Sequence, residues 1–252
     1  MAERRLAVVT GASSGIGAET ARMLIESGTD VIGVDLAWPE TPPRHGLECI
    51  TGSVHLQSTW QDVDAALARY DQPLRHLVIN AAKLVVGPIL DVSEENIRST
   101  FEVNLFGAVL ALKTCLPSML EAGEGSVVGV ASIDAQLAEQ DLAVYASSKG
   151  ALIQLMRSVA IDYAHRGIRA NTVCPGVVDT PFFRQHVEAA PDPAAFLKTK
   201  VDRYPSGRIL KPEDIASVIV FLLSDGAVGV NGAQLLVDGG LTATFDYHPK
   251  NS

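Results

Sequence analysis

Val8-Val9-Thr10-Gly11-Ala12-Ser13-Ser14-Gly15-Ile16-Gly17 is an apolar, β-branched run that enters a glycine turn and leaves as a helical pattern. A turn of this kind lets a pyrophosphate approach backbone N–H groups at a helix N-terminus, where any Cβ would obstruct it. The third glycine, Gly17, lets the helix pack closely on the strand. The spacing is Gly-x-x-x-Gly-x-Gly rather than Gly-x-Gly-x-x-Gly, and three glycines alone also fit an ordinary strand-to-helix turn. Their place directly after the first strand favours a dinucleotide.

Working outward, the next strand ends at Asp35, about 20 residues beyond the glycines, where a carboxylate accepts the ribose hydroxyls of NAD. The same charge repels a 2′-phosphate. Neither Leu36, which follows, nor Ser14, inside the turn, offers the cation that NADP would want. Charge complementarity therefore favours NAD, with NADP the alternative.

Apolar runs without alternation recur at 6–10, 31–35, 48–50, 76–80, 126–131, 169–173 and 234–237, as expected of strands covered on both faces. Helical patterns fall at 15–27, 58–70, 97–121, 145–166 and 212–223. The alternation predicts a doubly wound α/β fold, a parallel sheet with helices on both faces and right-handed crossovers. No linker or repeat divides the chain, so residues 1–252 form one dinucleotide-binding and catalytic domain. Residues 181–206 hold Pro191 and Pro193, several charges and no strand, and read as a substrate-binding lid loop.

The 252 residues are 47% hydrophobic and 19% charged, enough for a large core. A net charge of -9 argues against nucleic acid and anionic membranes as partners. Three scattered cysteines fit a reducing compartment rather than a disulfide framework or a metal site. No leader or spanning segment is expected, which leaves a soluble cytoplasmic protein.

Tyr145-Ala146-Ser147-Ser148-Lys149 places a phenol and an ammonium at i and i+4, on one helical face. A tyrosine pKa is ordinarily about 10, and a neighbouring cation is expected to lower it, making Tyr145 a usable general acid/base. The pattern alone also fits a half-buried Tyr beside a solvated Lys. Ser132 ends a strand and can hydrogen-bond a substrate oxygen. Asn104, inside an apolar helical stretch, suggests a specific hydrogen-bonding task.

Together these residues resemble the classical short-chain dehydrogenases/reductases. The likeness runs from Thr10 to Gly240 through Thr10-Gly11-x-x-x-Gly15-x-Gly17, Asn80-Ala81, Asn104, Ser132, Tyr145-x-x-x-Lys149 and Pro175-Gly176. Thirteen positions separate Ser132 from Tyr145, the family's usual spacing. The resemblance implies a Rossmann-like, seven-stranded, mostly parallel sheet. It also implies an NAD(H)-dependent oxidoreductase that interconverts a secondary alcohol and a ketone, with a Ser132, Tyr145, Lys149, Asn104 tetrad. In that picture Tyr145 transfers the proton and Ser132 positions the substrate oxygen. Lys149 lowers the Tyr145 pKa and binds the nicotinamide ribose, and Asn104 holds a water that links Lys149 to solvent.

Gly11, Ser13, Ser14, Gly15, Ile16 and Gly17 would surround the pyrophosphate, with Asp35 and Leu36 at the adenosine ribose. Asn80 and Ala81 would lie on the adenine side, and Pro175, Gly176, Val177, Val178 and Thr180 at the nicotinamide. Two departures stand out: Ile79-Asn80-Ala81-Ala82 replaces the family's Asn-Asn-Ala-Gly, and Thr51-Gly52-Ser53-Val54 lacks the Asp that many relatives place near adenine. Relatives pair the helices at 97–121 and 145–166 across a four-helix interface, which implies a homotetramer or homodimer.

Within the family the likeness leans toward NAD-dependent members acting on hydroxy acids or small polar alcohols. Candidate substrate residues are Asp134, Gln140, Lys83, Phe182 and Phe183, beside Ser132, with His186 in the same loop, where a lone His also reads as structural or exposed. Lys83 or Arg184 would serve a substrate carboxylate, although both also read as solvated surface charges. The tail 242–252, with Phe245 and Tyr247, would cap the site or pack on a neighbouring subunit. The competing class is a dinucleotide-binding regulator without catalysis, against which the four tetrad residues together argue.

Overall fold

The computed structural model describes residues 5–40, 45–188 and 190–244, so Phe245, Tyr247 and the tail beyond Thr244 lie outside the described residues. The strands are β1 (Arg5–Thr10), β2 (Thr29–Asp35), β3 (Leu47–Thr51), β4 (Leu74–Ile79), β5 (Gly125–Val130), β6 (Ile168–Pro175) and β7 (Gln234–Val237). They form one sheet in the order β3-β2-β1-β4-β5-β6-β7, with every pairing parallel.

The helices are α1 (Gly15–Glu26), α2 (Gln57–Leu67), α3 (Glu94–Phe101), α4 (Gly107–Ala122), α5 (Ala143–Tyr163), α6 (Pro181–Glu188), α7 (Pro193–Asp202) and α8 (Pro212–Leu223). Alternation along β1 shows how they are layered. Leu6 and Val8 join a core with Trp60 of α2, Met119 of α4 and Met156 of α5, whereas Ala7 and Val9 join one with Leu24 of α1 and Ile215 of α8. Both faces of the sheet are thus covered, which is why its strands read as unbroken apolar runs.

The helix expected at 97–121 begins earlier, at Glu94. Ser93 Oγ accepts the Asn96 N–H at 3.2 Å, and Glu94 and Glu95 complement the positive end of the helix. The helix continues through a π-helical turn, Glu102–Phe106, into α4. This run, Glu94–Ala122, is long and apolar enough to cross a membrane by length and composition, contrary to the expectation from sequence. Half of its apolar window is buried within the protein, and α4 packs on β4, β5 and α2.

Residues 181–206 are not simply a loop. They hold α6 and α7, the latter started by Pro193 and by Asp192, whose Oδ1 accepts the Ala195 N–H at 3.0 Å.

The strand order turns back between β1 and β4, and in such sheets a ligand crevice opens at that point, beyond the carboxyl ends of the strands. Here Thr10 Oγ1 accepts the N–H groups of Asn80 (2.9 Å) and Ala81 (3.1 Å). Asn80 Nδ2 answers by donating to the carbonyls of Thr10 (3.0 Å) and Gly11 (3.1 Å).

Candidate active site

A cavity of about 360 Å³ opens at this switch point and runs from Asp35 to the wall formed by Ser132, Tyr145 and the α6–α7 segment. At its first end, Gly11 (φ +66°) and Gly15 (φ +54°) adopt backbone conformations that favour glycine. A Cβ on Gly11 would stand 2.7 Å from Asn80 Nδ2, and one on Gly15 would stand 3.1 Å from Thr180 Cγ2, across the cavity. The N-terminus of α1 has no side-chain cap from Ser14, so its N–H groups face the cavity end without a competing side-chain acceptor.

Asp35 Oδ2 accepts the Ser13 N–H at 2.9 Å and Oδ1 the Leu36 N–H at 2.7 Å, which pins the carboxylate at the cavity edge with acceptor capacity to spare. The lysines lining the cavity among the described residues are Lys149 and Lys200, both on elements of the opposite wall. A glycine cradle, an uncapped helix start and a ribose-ready carboxylate fit a nicotinamide dinucleotide.

Gly11, Ser14, Gly15, Ile16, Asp35, Leu36, Asn80, Ala81, Pro175, Gly176, Val177, Val178 and Thr180 all line the cavity. Ser13 and Gly17 do not, and act from behind it. Ser13 holds Asp35, and a Cβ on Gly17 would stand 2.6 Å from Asn80 Nδ2 and press on the Gly11 carbonyl. The Asn80 side chain is consumed by the turn, so its contribution is to hold the glycines in place.

At the second end, Ser132 lies two residues beyond β5, at the start of a short 3-10 turn, and Tyr145 and Lys149 rise from the first turns of α5. Asp141 (φ +64°), alone in the left-handed region among the described non-glycine residues, turns the chain into α5 beside them. Ser132, Tyr145 and Lys149 line the cavity together, and Ser132 Oγ donates to Asp134 Oδ2 at 2.9 Å. Lys149 Nζ donates to the Val130 carbonyl at 2.8 Å and lies 5.8 Å from the centre of the Tyr145 ring. Burial pushes the Lys149 ammonium down to about 8.

The Tyr145 phenol departs from the expectation. Burial raises its pKa, the Asp134 carboxylate raises it further, and the Ser132 hydrogen bond opposes them.

Asn104 does not line the cavity. Its Oδ1 accepts the Lys83 N–H at 2.7 Å, and its Nδ2 donates to the Lys83 carbonyl and to Ser148 Oγ, both at 2.9 Å. The side chain therefore braces the segment after β4 against α5. Lys83 also stands away from the cavity. Its Nζ donates to Ser99 Oγ at 2.6 Å and reaches Asn96 Oδ1 at 3.4 Å, because the chain after Ala82 turns toward α3. Arg184 pairs with Asp179 at 2.7 Å on the exposed side of α6.

Asp134, Gln140, Phe182 and Phe183 do line the substrate end. So do His186, which the sequence placed in the candidate lining loop after Thr180, and two groups that the sequence did not single out, Lys200 and Glu139. Lys200 of α7 is buried and ion-pairs with Glu139 of the opposite wall, and His186 packs edge-on against Phe196. Lys200 carried no local signal, since its partner is 61 positions away. Tyr204 was also missed; it is buried and its hydroxyl accepts the Val177 N–H, holding the strand end beside Gly176.

Comparison with known proteins agrees with this geometry. Residues 11–242 match the family described as Enoyl-(Acyl carrier protein) reductase. A Danio rerio protein named Dehydrogenase/reductase SDR family member 6 is 33% identical over 94% of this chain and 96% of its own. The chain belongs to the short-chain dehydrogenase/reductase family.

Other members of the short-chain dehydrogenase/reductase family are similar over comparable lengths. The cis-4-hydroxycyclohexanecarboxylate dehydrogenase of Sinomonas cyclohexanicum is 37% identical over 95% of this chain and 97% of its own. Among solved structures, the aldohexose dehydrogenase of Thermoplasma acidophilum superposes with a TM-score of 0.88 at 30% identity, covering 98% of both chains. This short-chain dehydrogenase/reductase is therefore an oxidoreductase of a family that binds a nicotinamide cofactor.

Proposed function

We propose that this chain is an NAD(H)-dependent dehydrogenase that interconverts a secondary alcohol and its ketone, with Tyr145 as general acid/base. The observation that carries the reading is the convergence of Ser132, Tyr145 and, one turn along α5, Lys149 in the cavity whose far end presents Asp35. When bound, the nicotinamide accepts or donates the hydride and, oxidised, adds a positive charge. The glycine turn and α1 hold the pyrophosphate, Asp35 holds the adenosine ribose, and 175–180 flank the nicotinamide.

Ser132 positions the substrate oxygen and Tyr145 moves its proton. The raised phenol is protonated in the resting protein and ready to donate in ketone reduction. Alcohol oxidation needs the phenolate, so positive charge from Lys149 and the oxidised cofactor must bring that pKa down, and oxidation is favoured on the alkaline side. The α6–α7 segment, 181–206, serves as the lid. A small polar alcohol or hydroxy acid suits a pocket lined by Asp134, Gln140, Lys200 and His186, and the name of the Sinomonas relative includes a hydroxy acid. NADP is disfavoured by Asp35. Three free thiols accord with a cytoplasmic location, and the exposed Phe106 and Ile161, before α4 and on α5, suit pairing into a dimer or tetramer.

The test is turnover with NAD and with NADP over a panel of secondary alcohols at mildly alkaline pH. Tyr145→Phe is expected to lower kcat by about a thousandfold with NAD binding retained. Near-native kcat in that variant rejects the reading, and a higher kcat/KM with NADP rejects the cofactor assignment.

A further inference from the structure

Asp134 is held beside Ser132 by the turn that carries both. Ser132 starts the 3-10 turn Ile133–Ala135, and its Oγ accepts the Asp134 N–H at 3.2 Å. The same Oγ donates to Asp134 Oδ2 at 2.9 Å. Two hydrogen bonds between residues two positions apart fix the carboxylate next to the serine, and the turn packs on α5, which carries Tyr145. Both Ser132 and Asp134 line the cavity. A carboxylate offers about four acceptor positions and Ser132 takes one, so Asp134 has capacity left for a further donor. Among the described residues no lysine or arginine pairs with Asp134: Lys200 is engaged by Glu139 and Lys149 by the Val130 carbonyl.

Resting on the proposed function, we propose that Asp134 determines substrate specificity and that the substrate is a neutral vicinal diol, whose reacting oxygen lies at Ser132 and Tyr145 and whose neighbouring hydroxyl donates to Asp134. Two oxygens on adjoining carbons in a gauche arrangement stand about as far apart as Ser132 Oγ and Asp134 Oδ2, so the two residues match the two hydroxyls one to one. In oxidation the carbinol C–H bond breaks and its electron pair leaves as the hydride that oxidised nicotinamide accepts. The O–H proton of that carbinol passes to Tyr145, the C=O bond forms, and the product is a hydroxyketone. The second hydroxyl is unchanged. It competes with Ser132 for the carboxylate and so frees the Ser132 hydrogen to point at the reacting oxygen. A substrate without that donor leaves Ser132 turned to Asp134.

A carboxylate in the place of the second hydroxyl is disfavoured. Asp134 and Glu139 both line this end and repel an anion, while the Lys200 ammonium is already spent on Glu139. Burial raises the Asp134 carboxyl, the Ser132 hydrogen bond lowers it, Glu139 raises it and Lys200 lowers it. A hydroxyl donor compensates the partly buried charge through a charge-assisted hydrogen bond, which a second anion cannot supply. Between a small polar alcohol and a hydroxy acid, the pocket therefore selects the alcohol.

The test uses three matched alcohols: propylene glycol, isopropanol, which lacks the second hydroxyl, and lactate, which carries a carboxylate in its place. With NAD, kcat/KM for propylene glycol is expected to exceed that for isopropanol by about a hundredfold and that for lactate by at least about tenfold. Asp134→Ala is expected to lower the propylene glycol value about thirtyfold and to leave isopropanol within about threefold, whereas loss of a merely structural side chain lowers all three alike. In the NAD complex, which has no hydride to give, hydroxyacetone is expected to bind about tenfold more tightly than acetone by ligand-observed NMR, and Asp134→Ala to erase the difference. Asp134→Asn, which keeps an acceptor oxygen, is expected to restore part of the diol preference. Equal kcat/KM for propylene glycol and isopropanol overturns the assignment, as does a preference for lactate. A diol preference that survives intact in Asp134→Ala also overturns it. Failure of the underlying reading is separate: it shows as near-native kcat in Tyr145→Phe.

Discussion

At the Asp35 end of the cavity the working parts are backbone: N–H groups at the start of α1, glycines with no room for a Cβ, and one carboxylate pinned by two peptide N–H groups. At the Ser132 end they are side chains drawn from β5, the loop before α5, α5 itself and the α6–α7 segment. The first end is local in sequence and rigid by geometry. The second is assembled over long separations and set by charge. The first end should therefore fail abruptly on adding a methyl group, whereas the second should respond in graded fashion to changes of charge.

The largest expected effect is at Gly17. Gly17→Ala drives a Cβ into the Gly11 carbonyl and Asn80, so NAD affinity should fall about a hundredfold, near 3 kcal/mol, measured by titration calorimetry. Native affinity would break the claim that the turn is rigid.

Asp35→Ala removes the acceptors at the ribose position. The kcat/KM for NAD should fall about tenfold to a hundredfold and the NAD-to-NADP ratio should drop. An unchanged ratio would show that this end does not choose the cofactor.

A third expectation concerns the sheet between the two ends. His76 of β4 is buried, its Nδ1 has no partner, and burial with nearby Arg5 and Arg169 lowers its pKa to about 4 from an ordinary value near 6.5. As pH falls below 6.5 the unfolded chain binds a proton that the folded chain refuses, so stability is lost with acid until about pH 4. Between pH 6.5 and 5 the loss should be about 1.5 kcal/mol by urea unfolding, and His76→Leu should flatten it. An equal loss in that variant would place the acid sensitivity elsewhere, in the charged end of the cavity.

The smallest effect is expected at Lys200. Lys200→Met breaks the contact between α7 and Glu139, a partner that is partly solvated, so stability should fall by only about 1 kcal/mol and Tm by about 2–4 °C. KM should rise several-fold with kcat and NAD affinity little changed. A collapse of kcat would mean that the pair does more than hold the lid.

All seven strands were legible within a few residues because each is a contiguous apolar run between turns. The start of α3 was missed although Ser93-Glu94-Glu95 is a readable cap, and α7 was missed although Asp192-Pro193 is another. Lys83 was placed at the substrate by its nearness to Asn80-Ala81-Ala82, but a side chain three residues beyond a site is free to turn away, and this one turns to Ser99. Asn104 was recognised as a residue with a hydrogen-bonding task, yet its partners, Lys83 and Ser148, lie 21 and 44 positions away and have no local signature.

Reading residues in order was enough for the sheet, the glycine turn, Asp35 and the Tyr145–Lys149 spacing, because each depends on a local period or a backbone conformation that only certain residues adopt. It took the folded chain to show that Ser132 meets Asp134, that burial and Asp134 push the Tyr145 phenol up, and that Lys200 crosses the cavity to Glu139. Those are matters of burial and of charges meeting across distant segments, and neither is encoded in any single stretch of the chain.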